Sequence, residues 1–237
     1  MKNYGNIKKA CRSYLFRDMD TRLSILLSGL LVLGLNFFLY KGGFPSRSRS
    51  YLLLMVYVLI VGLTQITANS MVMNLTVKDK LNKRMEFILA SGMEVQSVIK
   101  AYTLEMWRIS SLVPFILFFT SYLQEGLGRD FKWILGIYLS SQAMLYFGIL
   151  LLNILGLSRK NFKFFKNLVF FGTTLAIYLV GNFSTTILSL LEAHHFNLTY
   201  VLLGVNLLLG FVFGALSMVN LGRMTNESII NKEGTWS

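Results

Sequence analysis

Six stretches of this chain contain no Asp, Glu, Lys or Arg: Leu23 to Tyr40, Ser50 to Val77, Ile109 to Gln124, Trp133 to Ser158, Asn167 to Leu191 and Ala193 to Gly222. A helix needs roughly 20 apolar residues to cross a hydrocarbon core about 30 Å thick. Inside a bilayer each such run must satisfy its own backbone polar groups, which a helix does. The expected fold is an all-α polytopic membrane protein with six transmembrane helices. The third run is the shortest and is expected to borrow length from the turn before it, where Glu105 and Arg108 can meet at the interface as an i, i+3 pair.

Composition removes the competing classes. Of the 237 residues, 54% are apolar and 14% charged, against about 45–50% and about 25% in soluble domains. A water-soluble globule and a disordered chain are both disfavoured. The net charge of +12 would suggest nucleic acid on a soluble scaffold, but Lys and Arg here sit in short clusters between uncharged runs, so no nucleic-acid partner is expected. The single cysteine, Cys11, excludes a disulfide within the chain and a cysteine-based zinc site.

The basic clusters set orientation. With the N-terminus inside, 18 of the 23 Lys and Arg residues fall in cytoplasmic segments, and 5 fall outside, three of those being Lys41, Arg47 and Arg49 in a locally anomalous first outer loop. Both termini are expected in the cytoplasm. The 22 residues before the first run, and the lack of a small-x-small site after Tyr40, argue for a retained span over a cleaved signal peptide. The chain reads as residues 1–22, a membrane domain over 23–222, and a polar tail over 223–237 expected to fray from Thr225 onward.

Two further segments carry helical periodicity without being spans. Tyr4, Ile7, Cys11, Tyr14, Leu15 and Met19 recur at three- and four-residue steps, opposite Lys2, Lys8, Lys9, Arg12 and Arg17. That pattern reads as an amphipathic helix lying in the cytoplasmic interface, the alternative being a basic tail that sets orientation. After the second run, Leu81, Met85, Ile88 and Leu89 keep helical spacing among Lys80, Lys83, Arg84 and Glu86, with Asp79 and Lys83 as an i, i+4 pair. Ser91-Gly92-Met93-Glu94 fits a capping box, in which Ser91 accepts from the amide of Glu94 and the Glu94 carboxylate reaches back. A second helix then runs through Val95, Val98, Ile99 and Tyr102. The expected product is a protruding elbow between spans two and three.

The run from Asp79 to Lys100 resembles the segment between helices two and three of ABC transporter permeases of the second exporter type. Glu86, Leu89, Ala90 and Lys100 match that family's pattern, and Gly92 stands near the place of its usual proline. The resemblance implies that 79–94 is a coupling helix docking into a separate cytosolic ATP-binding-cassette ATPase. Asp79, Lys83, Arg84, Glu86, Phe87, Leu89, Ser91, Gly92 and Glu94 would carry the contact. It further implies a second permease copy, identical or related, and residence in the plasma membrane of a bacterial cell. The bland alternative is a charged loop followed by a capped helix.

The chain has no G-x-x-x-x-G-K-[ST] phosphate loop, so by this reading it is not itself an enzyme and binds no cofactor, ATP and Mg belonging to the partner ATPase. No Asp, Glu, Lys, Arg or His lies deep in any of the six runs, which argues against ion-coupled transport. His194-His195 makes a poor metal site, because adjacent helical residues diverge by about 100° and zinc takes three or four ligands. The neutral polar residues form two stripes: Gln65 and Asn69 in the second run, and Thr174, Tyr178 and Asn182 in the fifth. Each stripe fits the lining of a translocation path and fits helix–helix hydrogen bonds equally well. The resemblance favours a path for a hydrophobic or amphipathic cargo such as a peptide, antimicrobial, lipid or drug. A membrane-embedded processing enzyme and a non-transporting scaffold subunit are the alternatives.

The orientation is testable by labelling in a Cys11→Ser background. A cysteine at Gly126 is expected to react with an impermeant maleimide from outside the cell, and one at Lys163 only after permeabilisation. The reverse pattern would overturn the charge argument.

Overall fold

The structure is a computed structural model that describes residues 2–37, 49–125, 131–158 and 162–230. Among these residues every regular element is helical. In chain order they are α1 (Lys2–Arg17), α2 (Met19–Phe37), α3 (Arg49–Met71), a π-helical segment (Val72–Val77), α4 (Lys78–Leu81), α5 (Arg84–Ala90), α6 (Val95–Ser110), α7 (Leu112–Glu125), α8 (Phe131–Ser158), α9 (Phe162–Ala193), α10 (Leu198–Gly222) and α11 (Asn226–Ile230). The stretches Ser50–Leu81, Phe131–Ser158, Asn167–Ala193 and Leu198–Gly222 are long and apolar enough to cross a membrane. The chain therefore has the character of a membrane protein.

The first charge-free run falls largely on α2. Asp18 separates α1 from α2 and caps the latter, its Oδ2 accepting from the Thr21 amide at 2.9 Å and the Thr21 hydroxyl at 2.8 Å. The third run does not form one straight helix. It divides at Ser111, between α6 and α7. Pro114 supplies the reason: it has no N–H for the Ser110 carbonyl, and its ring crowds that carbonyl. A proline is tolerated in the first turn of α7, where an intrahelical donor is not required.

Helix α3 is the post of the bundle, packing against α2, α6, α7, α8 and α9, while α10 lies along α8. At the elbow end, Met71, Val72 and Leu75 meet Val98, Ile99 and Met106 of α6 and Ile149 and Ile154 of α8. At the other end, Ile60 and Leu63 meet Val113 and Leu117 of α7 and Ile134 of α8. Within the α3–α9 contact the Ile177 side chain sits over Gly62, in space that a Cβ there would enter.

Polar side chains clip these helices together. Asn153 of α8 accepts from the Thr76 hydroxyl, and its amide donates to Thr103 Oγ1 at 3.2 Å and to the Ile149 carbonyl at 3.1 Å. Asn206 of α10 accepts from Tyr57 at 2.6 Å and donates to Ser140 Oγ at 2.9 Å. Each such bond is worth about 0.6–2 kcal/mol inside a membrane. Lys80 donates to the Leu157 carbonyl, where the negative end of the α8 dipole favours a cation.

The tail departs from the expected frayed segment. Met224 and Ile229 are buried, and α11 folds back against the elbow. Two apolar side chains and one asparagine, described below, supply what a purely polar tail would lack. Residues 231–237 lie outside the described residues, as do 38–48, 126–130 and 159–161, on which much of the expected loop sequence falls.

Gly62→Val is expected to lower bundle stability by about 1–3 kcal/mol through overpacking. Ile177→Ala in the same chain should restore part of that loss, as read by thermal unfolding in detergent and a double-mutant cycle. Additive losses would remove the close-approach argument.

Candidate functional site

The elbow begins in the π-helical segment, whose Val72, Met73, Leu75, Thr76 and Val77 are buried. A π turn inserts a residue into the helical ladder and is found frequently at functional positions. It is followed by the single turn of α4, which brings Asp79 inward: this carboxylate is 4% exposed. The chain then reverses at Lys83, which has a left-handed φ of 57°. This break ends the expected Asp79–Lys83 helical pair. Asp79 instead accepts from the Tyr102 hydroxyl at 2.9 Å and lies 3.9 Å from the Arg84 guanidinium.

Helix α5 keeps Met85 and Leu89 buried and turns Phe87 outward, 77% exposed. Lys83, Arg84, Ser91, Gly92 and Glu94 share its exposed side, and Glu86 is half-buried. Gly92 makes the following turn with φ 82°, a conformation glycine adopts without steric cost. The expected capping box is not formed. Ser91 Oγ donates to the Ile88 carbonyl at 2.7 Å, and Glu94 sits at the N-cap with no side-chain cap bond. The cap comes from the tail. Asn226 Oδ1 accepts from the Val95 amide at 2.9 Å, and Asn226 Nδ2 donates to the Met93 carbonyl at 3.0 Å. One amide thus satisfies a free donor and a free acceptor at the start of α6.

Helix α1 braces the elbow. Ile7, Cys11 and Leu15 are buried, as the periodicity predicts, but their partner is α6 of the same chain. Met19 leaves that face and is exposed, because the helix is interrupted at Asp18. The expected Glu105–Arg108 pair forms at 3.1 Å, yet Glu105 does not reach outward. It is 0% exposed and also accepts from Arg12 Nε at 2.8 Å and Arg12 Nη2 at 3.2 Å. This two-pronged contact holds Arg12 firmly as a cation. Burial, reinforced by the negative charges of Glu105 and Asp79, pushes the Cys11 thiol well above the usual thiol range.

Between α1, α5 and α6 lies a cleft of about 500 Å³, lined by Cys11, Tyr14, Asp79, Arg84, Phe87 and Tyr102 among others. The sequence-derived elbow residues therefore divide. Lys83, Arg84, Phe87, Ser91, Gly92 and Glu94 form an outward rim, whereas Asp79 and Leu89 hold the rim from within. Tyr102, Glu105, Arg12 and Asn226 were not singled out for this site by sequence. Two signals were present: a lone carboxylate on an otherwise apolar helical face, and a polar asparagine just after the last apolar run.

The two polar stripes are not brought together within one chain. Asn69 is buried and Gln65 half-buried in α3, while Thr174, Tyr178 and Asn182 all lie on the exposed side of α9. Thr174 and Tyr178 line a shallow apolar groove with Phe171 and Leu175 on that same helix. His194 and His195 lie in the α9–α10 turn, far in sequence from Cys11, and His195 takes a left-handed φ of 56°. No family model matches the chain, and neither does any curated protein or solved structure.

Replacing Glu105 by Leu is expected to cost about 1–2 kcal/mol, since half-exposed Arg12 and Arg108 regain water. Helix α1 should loosen from α6, so that iodoacetamide alkylates Cys11 at least about tenfold faster at neutral pH, given the reactivity of an accessible thiol. An unchanged alkylation rate would show that α1 docks without the ion pair.

Proposed function

We propose that the chain is the membrane-spanning subunit of an ABC exporter, with six spans, both termini cytoplasmic, and ATP hydrolysed by a separate cytosolic subunit. In this reading α2 is the first span and α6 with α7 forms the third. The observation that carries the proposal is the elbow. A short helix presents an exposed phenylalanine just after Lys83 and Arg84, its Met85 and Leu89 are buried in the cluster that α1 and α6 share, and Asn226 of α11 ties down the turn that follows. An aromatic anchor flanked by arginine is the composition of a protein–protein contact. A rigid brace is what transmission of a partner's motion into the spans requires, because a loose loop would absorb it.

The role of the stripes follows the same reading. Thr174, Tyr178 and Asn182, exposed on α9, would face a second permease copy across a shared path, and Gln65 and Asn69 would lie behind that path within each subunit. The cargo class is an amphipathic or hydrophobic compound leaving the cytoplasm. The scaffold alternative needs no path, and it would tolerate replacement of both stripes.

The test is affinity purification in mild detergent from the native membrane, with mass spectrometry of bound proteins. Recovery of an ATP-binding-cassette protein is expected from the wild type, with at least a tenfold loss for Phe87→Ala or Glu86→Ala, the scale of an interface anchor. Both variants should keep wild-type unfolding temperatures. Absence of any ATPase, alongside a control complex that survives, would defeat the proposal.

A further inference from the structure

The cleft beside the elbow combines features that a packed helical junction does not need. Its walls are mainly apolar and aromatic, from Ile7, Tyr14, Leu75, Phe87, Met93 and Tyr102. Its one carboxylate, Asp79, is 4% exposed. Of the two carboxylate oxygens, Oδ2 accepts from Tyr102, while Oδ1 has Arg84 at 3.9 Å, beyond hydrogen-bond length. Arg84 is itself 56% exposed on its side chain, so it holds the carboxylate loosely from the rim. Arg84 already gives that oxygen an ion-pair partner, and a ligand cation entering the cleft can take its place with the closer contact that the guanidinium does not make. Tyr14, Phe87 and Tyr102 in the same lining supply aromatic surface for an apolar body. A volume of about 500 Å³ lies within the ordinary range of small-molecule sites, about 300–1,000 Å³.

We infer that this cleft is a binding site for a monovalent organic cation with an apolar, aromatic-sized body, its charge against Asp79 Oδ1 and its body between Tyr14, Phe87 and Tyr102. Arg84 is the internal stand-in that the ligand displaces. The inference stands on the cleft alone and does not require the exporter reading. The placing of the two lining charges selects the occupant: Arg84 stands on the exposed rim and Asp79 within, so an anionic amphiphile would meet Arg84 but place its apolar body against a buried carboxylate.

The probe is radiolabelled tetraphenylphosphonium, with the full chain in lipid nanodiscs and tetraphenylborate as the anion of matching shape. Saturable binding is expected, uncompeted by tetraphenylborate. Asp79→Asn, which keeps an acceptor for Tyr102, should weaken binding by at least about tenfold, the scale of a charged hydrogen bond. Arg84→Ala should bind as tightly as the wild type or tighter, and Ala10→Trp, which fills the cleft mouth and leaves the carboxylate untouched, should abolish binding. Saturating phosphonium should also slow alkylation of Cys11 in the wild type, a readout that requires no substitution. Equal binding by Asp79→Asn, loss of binding in Arg84→Ala, competition by tetraphenylborate, or an unprotected Cys11 would each overturn the assignment.

Discussion

The Ser50–Leu81 helix is longer than the membrane it is suited to cross. Its 32 residues span about 48 Å at 1.5 Å per residue, against a hydrocarbon core of about 30 Å. The surplus must stand outside the core, and the chain uses that surplus to build its polar machinery. Thr76, Asp79 and Lys80 all lie in the last turns, where they reach Asn153, Tyr102 and the end of α8. The π-helical segment sits at this transition, between an apolar post and its projecting end. Every element of the elbow is hung from that projection.

Two buried carboxylates then do different work. Glu105 is fully matched by two arginines and fastens α1 to α6, so its burial favours a defined arrangement. Asp79 is matched only in part, by one hydroxyl and a distant guanidinium. The first is a joint, and the second retains unspent capacity for charge. In addition to the larger effect of burial, both carboxylates lie close enough to Cys11 to disfavour its thiolate.

Much of the fold was legible because a bilayer leaves few options. Charge-free runs located the long helices α3, α8, α9 and α10, and the 3.6-residue period found the buried Ile7–Cys11–Leu15 face and the Met85–Leu89 face. Local signals failed where a distant residue outcompeted them. Ser91 and Glu94 had the spelling of a cap, yet Asn226 satisfies the α6 terminus with both amide groups, a geometry two flexible local side chains did not match. Lys83 had helical spacing from Asp79, but the left-handed turn at Lys83 removed it and brought Arg84 in its place.

The sequence by itself determined that this chain forms long apolar helices joined by basic turns, because lipid admits only backbone that bonds to itself. It also determined that the segment after Val77 must leave the apolar phase, since six charged residues follow within nine positions. Tertiary structure alone decided which of those charges face inward. The partners of the junction's buried polar groups, Tyr102 for Asp79, Arg12 for Glu105 and Asn226 for the Val95 amide, lie 23, 93 and 131 positions away. No periodicity reaches that far, and only the packing of α1, α4 and α11 against α6 brings those groups within bonding distance.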